Sequence, residues 1–328
     1  MNLSIHSAPD RELMVAKGRS HPELAEAIAR ELHIDLLPTT TYDFANSETY
    51  VRYGESIRGT DLFIIQPNAT PVNESLMELL LMLDAAKRAS VGRVTAVIPF
   101  LAYARQDKKS RGREPISARL VSDLLATAGA DRVMSIDLHS PQIQGFFDMP
   151  VDHLEAMPVL VDYVRTRVDL TNVCVVSPDA GRIKVAEQWA TSFDGCPLAF
   201  VHKTRDVTRP NQSHANRVVG DVQGRDCVLV DDLIDTGGTI TEAAKVVLGA
   251  GAKSVTIAAT HGVLSPPAAQ RLHESGVKEV VVTDTLPIDS ARRFAELTVL
   301  SIAPMLARAI RTVFEDSSVT SLFDNNGT

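Results

Sequence analysis

The stretch DCVLVDDLIDTGGTIT, residues 226–241, decides the fold of this chain. Its apolar run at residues 227–230 is typical of a parallel strand that is buried on both faces. Two carboxylates, Asp231 and Asp232 (the acid pair), follow at the predicted end of this strand, and a helix-like segment begins soon after them. In an open α/β sheet, ligands bind outside the carboxyl ends of the strands. The stretch therefore predicts a parallel sheet with a binding site at its edge.

The predicted site suits a sugar phosphate. Asp235 opens a turn in which Gly237 and Gly238 let the backbone come close to a ligand. The hydroxyls of Thr236 and Thr239 and the amides at the helix start suit a phosphate group. The acid pair repels a phosphate, but it accepts hydrogen bonds from the vicinal hydroxyls of a sugar. Together these features indicate a ribose 5-phosphate site. The alternative is an ordinary strand, turn and helix with a glycine-rich loop.

Composition and charge limit the class of protein. The 328 residues are enough for two ordinary domains, and the formal net charge of −8 argues against nucleic acid as a general partner. The N-terminus lacks the regions of a signal peptide, and no uncharged apolar run reaches the roughly 18 residues that a membrane span needs. The cysteines lack metal-ligand spacing. We therefore expect a cytoplasmic protein with free thiols and no membrane partner.

Strand-like and helix-like segments alternate along the chain, which favours an α/β fold with central parallel sheets. An internal repeat relates residues 128–140, AGADRVMSIDLHS, to residues 250–262, AGAKSVTIAATHG. His139 in the first copy matches His261 in the second. We interpret the repeat as two copies of one α/β unit, and chance similarity between two helix–strand units is the alternative.

The offset between the two copies is about one domain length, which predicts a domain boundary around Pro150 and Pro158. The predicted domains are residues 1–157 and residues 158–328. The C-terminal segment, residues 303–328, begins with helical apolar spacing. We expect this segment either to lie on the second domain or to cross to the first.

A cationic loop follows the predicted strand at residues 94–99. It holds five cations within nine residues of an acidic protein, namely Arg105, Lys108, Lys109, Arg111 and Arg113. Such a loop suits a triphosphate, with the Arg105 guanidinium making paired hydrogen bonds to its oxygens. The alternative is a solvated charged face.

Two other predicted strands end in possible metal ligands. Asp137 is the last residue of the predicted strand at residues 132–137, and His139 lies two residues beyond it. Asp179 follows the predicted strand at residues 173–177. An imidazole and a carboxylate from different strand ends can share a divalent ion, and with phosphate ligands present Mg²⁺ is the expected ion. Taken singly, each residue is more often a helix cap or a core polar group than a metal ligand.

Two further segments carry candidate ligand-binding groups. One arm of a predicted hairpin offers the aromatic ring of Phe44 and the polar groups of Asn46 and Glu48, which suit a purine base as well as a plain surface hairpin. A polar, proline-containing loop carries Lys203 and Arg205. We expect this loop to be mobile and able to close over a reacting phosphate.

The segments YARQDKK, DLH, QIQGFFD, SPDAG and VDDLIDTGGT, in this order, resemble those of the ribose-phosphate pyrophosphokinases of the phosphate-activated, Mg²⁺-dependent class. The resemblance covers nearly the whole chain. It implies two similar phosphoribosyltransferase-like (Rossmann-like) domains and a homohexamer. It also implies transfer of the β,γ-pyrophosphoryl group of ATP to the C1 hydroxyl of ribose 5-phosphate, which yields phosphoribosyl pyrophosphate and AMP for nucleotide biosynthesis.

The resemblance also implies roles for single residues. The expected ATP contacts are Phe44, Asn46, Glu48, Arg105 and Gln106. The expected Mg²⁺-linked residues are His139 and Asp179, and the expected catalytic residues are Lys203 and Arg205. The expected ribose 5-phosphate contacts are Asp231, Asp232, Asp235, Thr236, Gly237, Gly238 and Thr239. The expected allosteric residues, where phosphate activates and ADP inhibits, are Ser56, Arg58, Ser318 and Thr320.

The chain departs from the family pattern at two places. Arg182 follows Gly181 where the family often has a second glycine, and it is expected to narrow, or to add charge to, the pyrophosphate pocket. The loop after Arg205 contains Asp206 and Pro210 instead of the common basic pattern. Two other functions stay open, an ordinary phosphoribosyltransferase and a non-catalytic regulatory homologue. The second domain copy argues against the first, and the complete set of site residues argues against the second.

Overall fold

The computed structural model describes residues 11–202 and 217–319. In chain order the strands are β1 (Leu13–Lys17), β2 (Thr39–Asp43), β3 (Thr49–Tyr53), β4 (Asp61–Ile65), β5 (Arg93–Ile98), β6 (Arg132–Ile136), β7 (Val151–Leu154), β8 (Val173–Ser177), β9 (Leu198–His202), β10 (Arg217–Val219), β11 (Asp226–Ile234), β12 (Ser254–Gly262), β13 (Glu279–Thr283) and β14 (Leu297–Leu300). The helices are α1 (Pro22–Leu32), α2 (Val72–Arg88), α3 (Ser117–Ala128), α4 (Met157–Arg165), α5 (Ile183–Ser192), α6 (Gly238–Gly249), α7 (Ala268–His273) and α8 (Ala303–Phe314).

These elements form two compact units. The first contains the described residues up to Leu154 together with those from Ala303 onward, and the second runs from Glu155 to Ile302. The C-terminal helix α8 therefore belongs with the first unit, where it packs against α1. Within the described residues, no helix is long and apolar enough to cross a membrane.

The first unit is built on a parallel sheet in the order β1-β4-β5-β6-β7, with β2 and β3 forming a separate antiparallel hairpin. Every residue of β4 is buried. One face of the sheet, represented by Leu62 and Ile64, packs on the apolar faces of α2 and α3. Gly129 caps the carboxyl end of α3, and its φ of 109° lies in the left-handed region that glycine adopts without strain.

The second unit is built on a seven-stranded sheet in the order β10-β9-β8-β11-β12-β13-β14, parallel except for β10 against β9. The side chains of β11 alternate between two cores. Cys227 and Leu229 pack with α6 and α7, while Val228 and Val230 pack with α4 and α5. Burial on both faces explains why this strand is a continuous apolar run.

The structure confirms the predicted α/β fold with two similar units and parallel central sheets. Both copies of the repeat run from the end of a helix into a central strand, α3 into β6 and α6 into β12. The strand β11 continues through the acid pair to Ile234, beyond its predicted end at Val230. In contrast, β6 stops at Ile136 because Asp137 takes a left-handed φ of 39°. The cysteines are free thiols, as expected.

The place of α8 in the first unit generates a prediction. Leu306 of α8 is fully buried, so Leu306→Ala should lower the free energy of unfolding of that unit by about 2–4 kcal/mol through lost burial and a cavity. Hydrogen exchange should speed up in α1 but not in α6. Arg308→Ala on the exposed face of α8 is the control, with an expected change within about 0.5 kcal/mol. Faster exchange in α6 with unchanged α1 would contradict the grouping.

Candidate functional site

The acid pair lies where one strand outruns its neighbour. β8 pairs with β11 only as far as Leu229, whereas β12 stays paired with β11 up to Ile234. The backbone of the acid pair is therefore held from the β12 side and lies beyond the end of β8 on the other side. Both carboxylates are largely buried, with 16% of the Asp231 side chain and 14% of the Asp232 side chain exposed.

The loop after β11 presents the start of a helix. Gly237 precedes α6 with a φ of 74°, a conformation that residues with a Cβ adopt only with strain. From α7, Arg271 donates a hydrogen bond from Nη1 to the Thr236 carbonyl oxygen at 3.0 Å and so supports the loop from outside. The structure thus brings Asp235, Thr236, Gly237, Gly238 and Thr239 together at the amino end of α6, next to the acid pair in the chain.

Arg182 provides the counter-charge of the acid pair. Its Nη2 donates to Asp232 Oδ2 at 2.5 Å, and its Nε lies 3.6 Å from Asp231 Oδ1. Burial raises the pKa of Asp231 well above its ordinary value, the Asp232 carboxylate raises it further, and the Arg182 guanidinium opposes both effects. The sequence placed this cation at a pyrophosphate pocket, and the structure pairs it with the acid pair.

The two expected metal-linked residues lie in different units. Asp179, after β8, accepts the Gly181 N–H at 2.8 Å through Oδ1. His139 lies in the half-buried loop after β6, where the neighbouring Leu138 N–H donates to His153 Nε2 at 2.9 Å. Burial lowers the pKa of His153, which favours the neutral ring that can accept this hydrogen bond.

Among residues 11–202 and 217–319, no group of three or more His, Cys, Asp or Glu side chains is placed to hold a metal ion. A single carboxylate at a strand end nevertheless fits Mg²⁺, because this ion is often bound through one or two carboxylates with phosphate oxygens and waters completing its shell. The assignment of His139 and Asp179 stays a prediction.

The expected base-binding residues meet at the tip of the β2–β3 hairpin. The Phe44 N–H donates to the Glu48 carbonyl oxygen at 2.8 Å, and Asn46 Oδ1 accepts the Glu48 N–H at 3.2 Å. The Phe44 ring is 47% exposed and packs edge-on against Tyr42, with ring centroids 5.4 Å apart. The hairpin therefore offers an exposed aromatic face beside two polar side chains.

An ion-pair network anchors this hairpin where its strands meet the turn. Arg19, which follows β1, donates from both terminal nitrogens to Asp43 at 2.7 and 2.8 Å. The buried Glu78 of α2 accepts from the Arg19 side chain at 2.6 Å and from its backbone N–H at 2.7 Å. The Arg19 guanidinium, with Thr49 as a second donor, lowers the pKa of Asp43 to about 2. Arg19, Asp43 and Glu78 border a cavity of about 240 Å³.

The loop after β5 carries the other expected ATP contacts on its surface. Arg105 and Gln106 are exposed. The Gln106 N–H donates to the Tyr103 carbonyl oxygen at 2.9 Å, and Gln106 Oε1 accepts from Ser117 Oγ at 2.6 Å, which ties the loop to the start of α3. The expected catalytic residues Lys203 and Arg205, and the expected allosteric residue Thr320, lie outside the described residues.

The other expected allosteric residues lie near the amino ends of the strands of the first sheet. Ser56 and Arg58 are exposed in the segment that leads into β4, and Ser318 follows α8. Arg93 links these regions, because it pairs with Asp61 of β4 at 2.6 Å and with Asp316 at 3.0 Å. The expected effector segments thus lie near the amino ends of the strands, and the loop that carries Arg105 and Gln106 follows the carboxyl end of β5.

Comparison with known proteins settles the family. The N-terminal domain of ribose phosphate pyrophosphokinase matches residues 13–129, and the phosphoribosyl synthetase-associated domain matches residues 169–324. The ribose-phosphate pyrophosphokinase of Bifidobacterium longum is 66% identical, covering 98% of this chain and 95% of that protein. The one from Corynebacterium glutamicum is 60% identical, covering 96% of each chain. The chain belongs to the ribose-phosphate pyrophosphokinase family.

A solved structure agrees with this assignment. The phosphoribosylpyrophosphate synthetase of Mycobacterium smegmatis matches with a TM-score of 0.89 and 57% identity, covering 94% of this chain and 100% of that one. Membership of the ribose-phosphate pyrophosphokinase family confirms the resemblance carried by the five motifs. It also confirms that the chain is an enzyme of the diphosphotransferase class.

Sequence reasoning missed four side chains that support the site of this pyrophosphokinase. Arg19, Glu78, His153 and Arg271 each act on a candidate segment through contacts with residues far away in the chain. None of them lies in a recognisable motif. The signal that was available is indirect, because Arg19 follows a strand and therefore lies at the sheet edge where ligands bind.

The conformation of Gly237 generates a prediction for this pyrophosphokinase. Gly237→Ala should lower the free energy of unfolding by about 1–2 kcal/mol, because alanine is strained at a φ of 74°. Gly249→Ala, in open space at the other end of α6, is the matched control and should be neutral or stabilising by up to about 1 kcal/mol. Urea unfolding of both variants makes the measurement, and equal effects would contradict the strained-turn argument.

Proposed function

We propose that this enzyme transfers the β,γ-pyrophosphoryl group of ATP to the C1 hydroxyl of ribose 5-phosphate. The products are 5-phosphoribosyl 1-pyrophosphate and AMP, and the reaction serves nucleotide biosynthesis in the cytoplasm. The observation that carries the proposal is the edge of the second unit, where two carboxylates lie beside a glycine-rich helix start. The membership of the chain in the pyrophosphokinase family supports it.

The sugar phosphate would bind along β11 and α6. The carboxylates of Asp231 and Asp232 can only accept hydrogen bonds when ionised, and the vicinal hydroxyls of ribose supply the donors. The amides at the start of α6 and the hydroxyls of Thr236 and Thr239 would hold the 5-phosphate, since the amino end of a helix favours an anion. Gly237 and Gly238 let the backbone approach that phosphate.

ATP would bind through the hairpin and the loop after β5. The exposed Phe44 ring would stack on adenine, with Asn46 and Glu48 contacting the edge of the base. Arg105 and Gln106 would contact the phosphates. We propose that the hairpin serves a neighbouring copy of the chain in a homohexamer.

Catalysis would consist mainly of positioning and of charge stabilisation. The attacking C1 oxygen must lie in line with the β-phosphorus and its leaving AMP oxygen. Lys203 and Arg205 would stabilise the charge that develops on the transferring group. His139 and Asp179 are the residues that would hold Mg²⁺, which when bound neutralises phosphate charge.

Regulation would act at the amino edge of the first sheet. We propose that inorganic phosphate activates and ADP inhibits through Ser56, Arg58, Ser318 and Thr320. The exposed Arg58 guanidinium suits the phosphate groups that both effectors share.

The deciding experiment measures AMP release from ATP by the purified enzyme with Mg²⁺ and inorganic phosphate. We expect AMP only when ribose 5-phosphate is added, with an equal amount of phosphoribosyl pyrophosphate, and no product when EDTA removes the divalent ion. Product formation must not require a free base or pyrophosphate. A folded enzyme that releases no AMP under these conditions would overturn the proposed reaction.

A second prediction concerns the proposed catalytic lysine. Lys203→Ala should reduce kcat by about 100-fold or more, because a positioned charge in the transition state is lost. The affinity for ribose 5-phosphate should change far less. Steady-state kinetics with both substrates varied makes the measurement, and Lys184→Ala on the exposed side of α5 is the control. An unchanged kcat in the Lys203 variant would remove this residue from the mechanism.

A further inference from the structure

Arg182 reaches the acid pair because of the way two strands end. β8 stops at Ser177, and the chain turns through Ala180–Arg182 before α5 begins. β11 continues past that point, so its carboxylates lie beside the turn. Because side chains alternate along a strand, Asp232 falls on the same side as Val228 and Val230, whose core is shared with α5. This register explains why Asp232 is the closer partner of Arg182.

The Arg182 ion pair contacts one oxygen of each carboxylate. Arg182 approaches Oδ2 of Asp232 and Oδ1 of Asp231, and the latter oxygen also accepts the Asp232 N–H at 2.9 Å. Two carboxylates offer about eight lone-pair sites in total, which is more than these contacts use. Acceptor capacity of this size suits a ligand that carries several hydroxyl donors.

This guanidinium offsets part of the negative charge of the acid pair. Two adjacent carboxylates with side chains only 16% and 14% exposed repel one another, and burial adds to the cost of ionising both. A protonated carboxyl loses an acceptor site and changes its preferred hydrogen-bond partners. Arg182, itself 20% exposed, lies against both carboxylates, and its positive charge opposes the rise in the pKa of Asp231.

We propose that Arg182 is a positioning residue of the sugar site, whose ion pair orients the side chains of Asp231 and Asp232 so that both accept hydrogen bonds from ribose 5-phosphate. The inference rests on the proposed function. It assigns Arg182 to the sugar and not to ATP, and it makes the ion pair a part of substrate affinity.

The test compares KM values in the AMP-release assay, supported by calorimetric binding of ribose 5-phosphate. Arg182→Gln should raise KM for ribose 5-phosphate by about tenfold or more, as expected when a charge-assisted hydrogen bond is lost, with little change in KM for ATP. Arg182→Lys should recover part of the affinity, because the charge returns without the forked geometry. Lys184→Gln, which removes a cation from the next turn, should behave as wild type.

A double-mutant comparison separates positioning from direct contact. In an Asp232→Asn background, Arg182→Gln should have much less effect on KM for ribose 5-phosphate, because the partner carboxylate is gone. An equal effect in both backgrounds would mean that Arg182 acts elsewhere, and this outcome overturns the inference. Tighter binding of ribose 5-phosphate by Arg182→Gln also overturns it, since the guanidinium would then compete with the sugar.

The measurements distinguish failure of the proposed reaction from failure of the Arg182 inference. Absence of AMP release by the wild-type enzyme overturns the proposed reaction, and with it this inference. Normal wild-type activity with an unchanged KM for ribose 5-phosphate in Arg182→Gln overturns the inference alone. Thermal melting of each variant identifies loss of folding, and Arg182→Lys keeps the test decisive if the glutamine variant does not fold.

Discussion

The burial of β11 on both faces is the constraint on which the position of the acid pair depends. Two separate cores fix the side-chain alternation of residues 227–230. Because the side-chain period of a strand is two, a slip of one residue would exchange the faces of the acid pair. The ladder to β12 then carries this register up to Ile234, past the end of β8. Packing of apolar side chains thus decides where the carboxylates point.

The first unit also places its candidate site residues in loops beyond the ends of parallel strands. Its candidate ATP contacts Arg105 and Gln106 follow the carboxyl end of β5, and the Arg19 network ties the hairpin to the segment after β1. The amino ends of β4 and β5 instead carry the charged contacts of Asp61, Arg93 and Asp316. The proposed substrate and effector sites therefore lie at opposite ends of the strands of one sheet and use different side chains.

Local signals made the fold, and the strand, turn and helix that carry the candidate site, predictable from sequence. The apolar run of β11 and the glycines after it are read from neighbouring residues, since burial and turn geometry act locally. The short helix α7 and the half-buried edge strand β14 give weaker patterns, and both were missed. The pairing of Arg182 with Asp232 was missed as well, because it joins residues 50 positions apart and depends on where β8 ends relative to β11.

The site must satisfy two opposed electrostatic demands. The hydroxyls of the proposed sugar require acceptor oxygens, yet the phosphate groups at both ends of the product repel those same carboxylates. The Arg182 guanidinium contacts both carboxylates and offsets part of their negative charge. The carboxylates then repel the phosphate groups less, while their oxygens can still accept hydrogen bonds. A lysine would supply the charge at a single point, whereas the fork of Arg182 spans both carboxylates, with Nη2 on Asp232 and Nε toward Asp231. Geometry and charge together make arginine the suitable residue at this position.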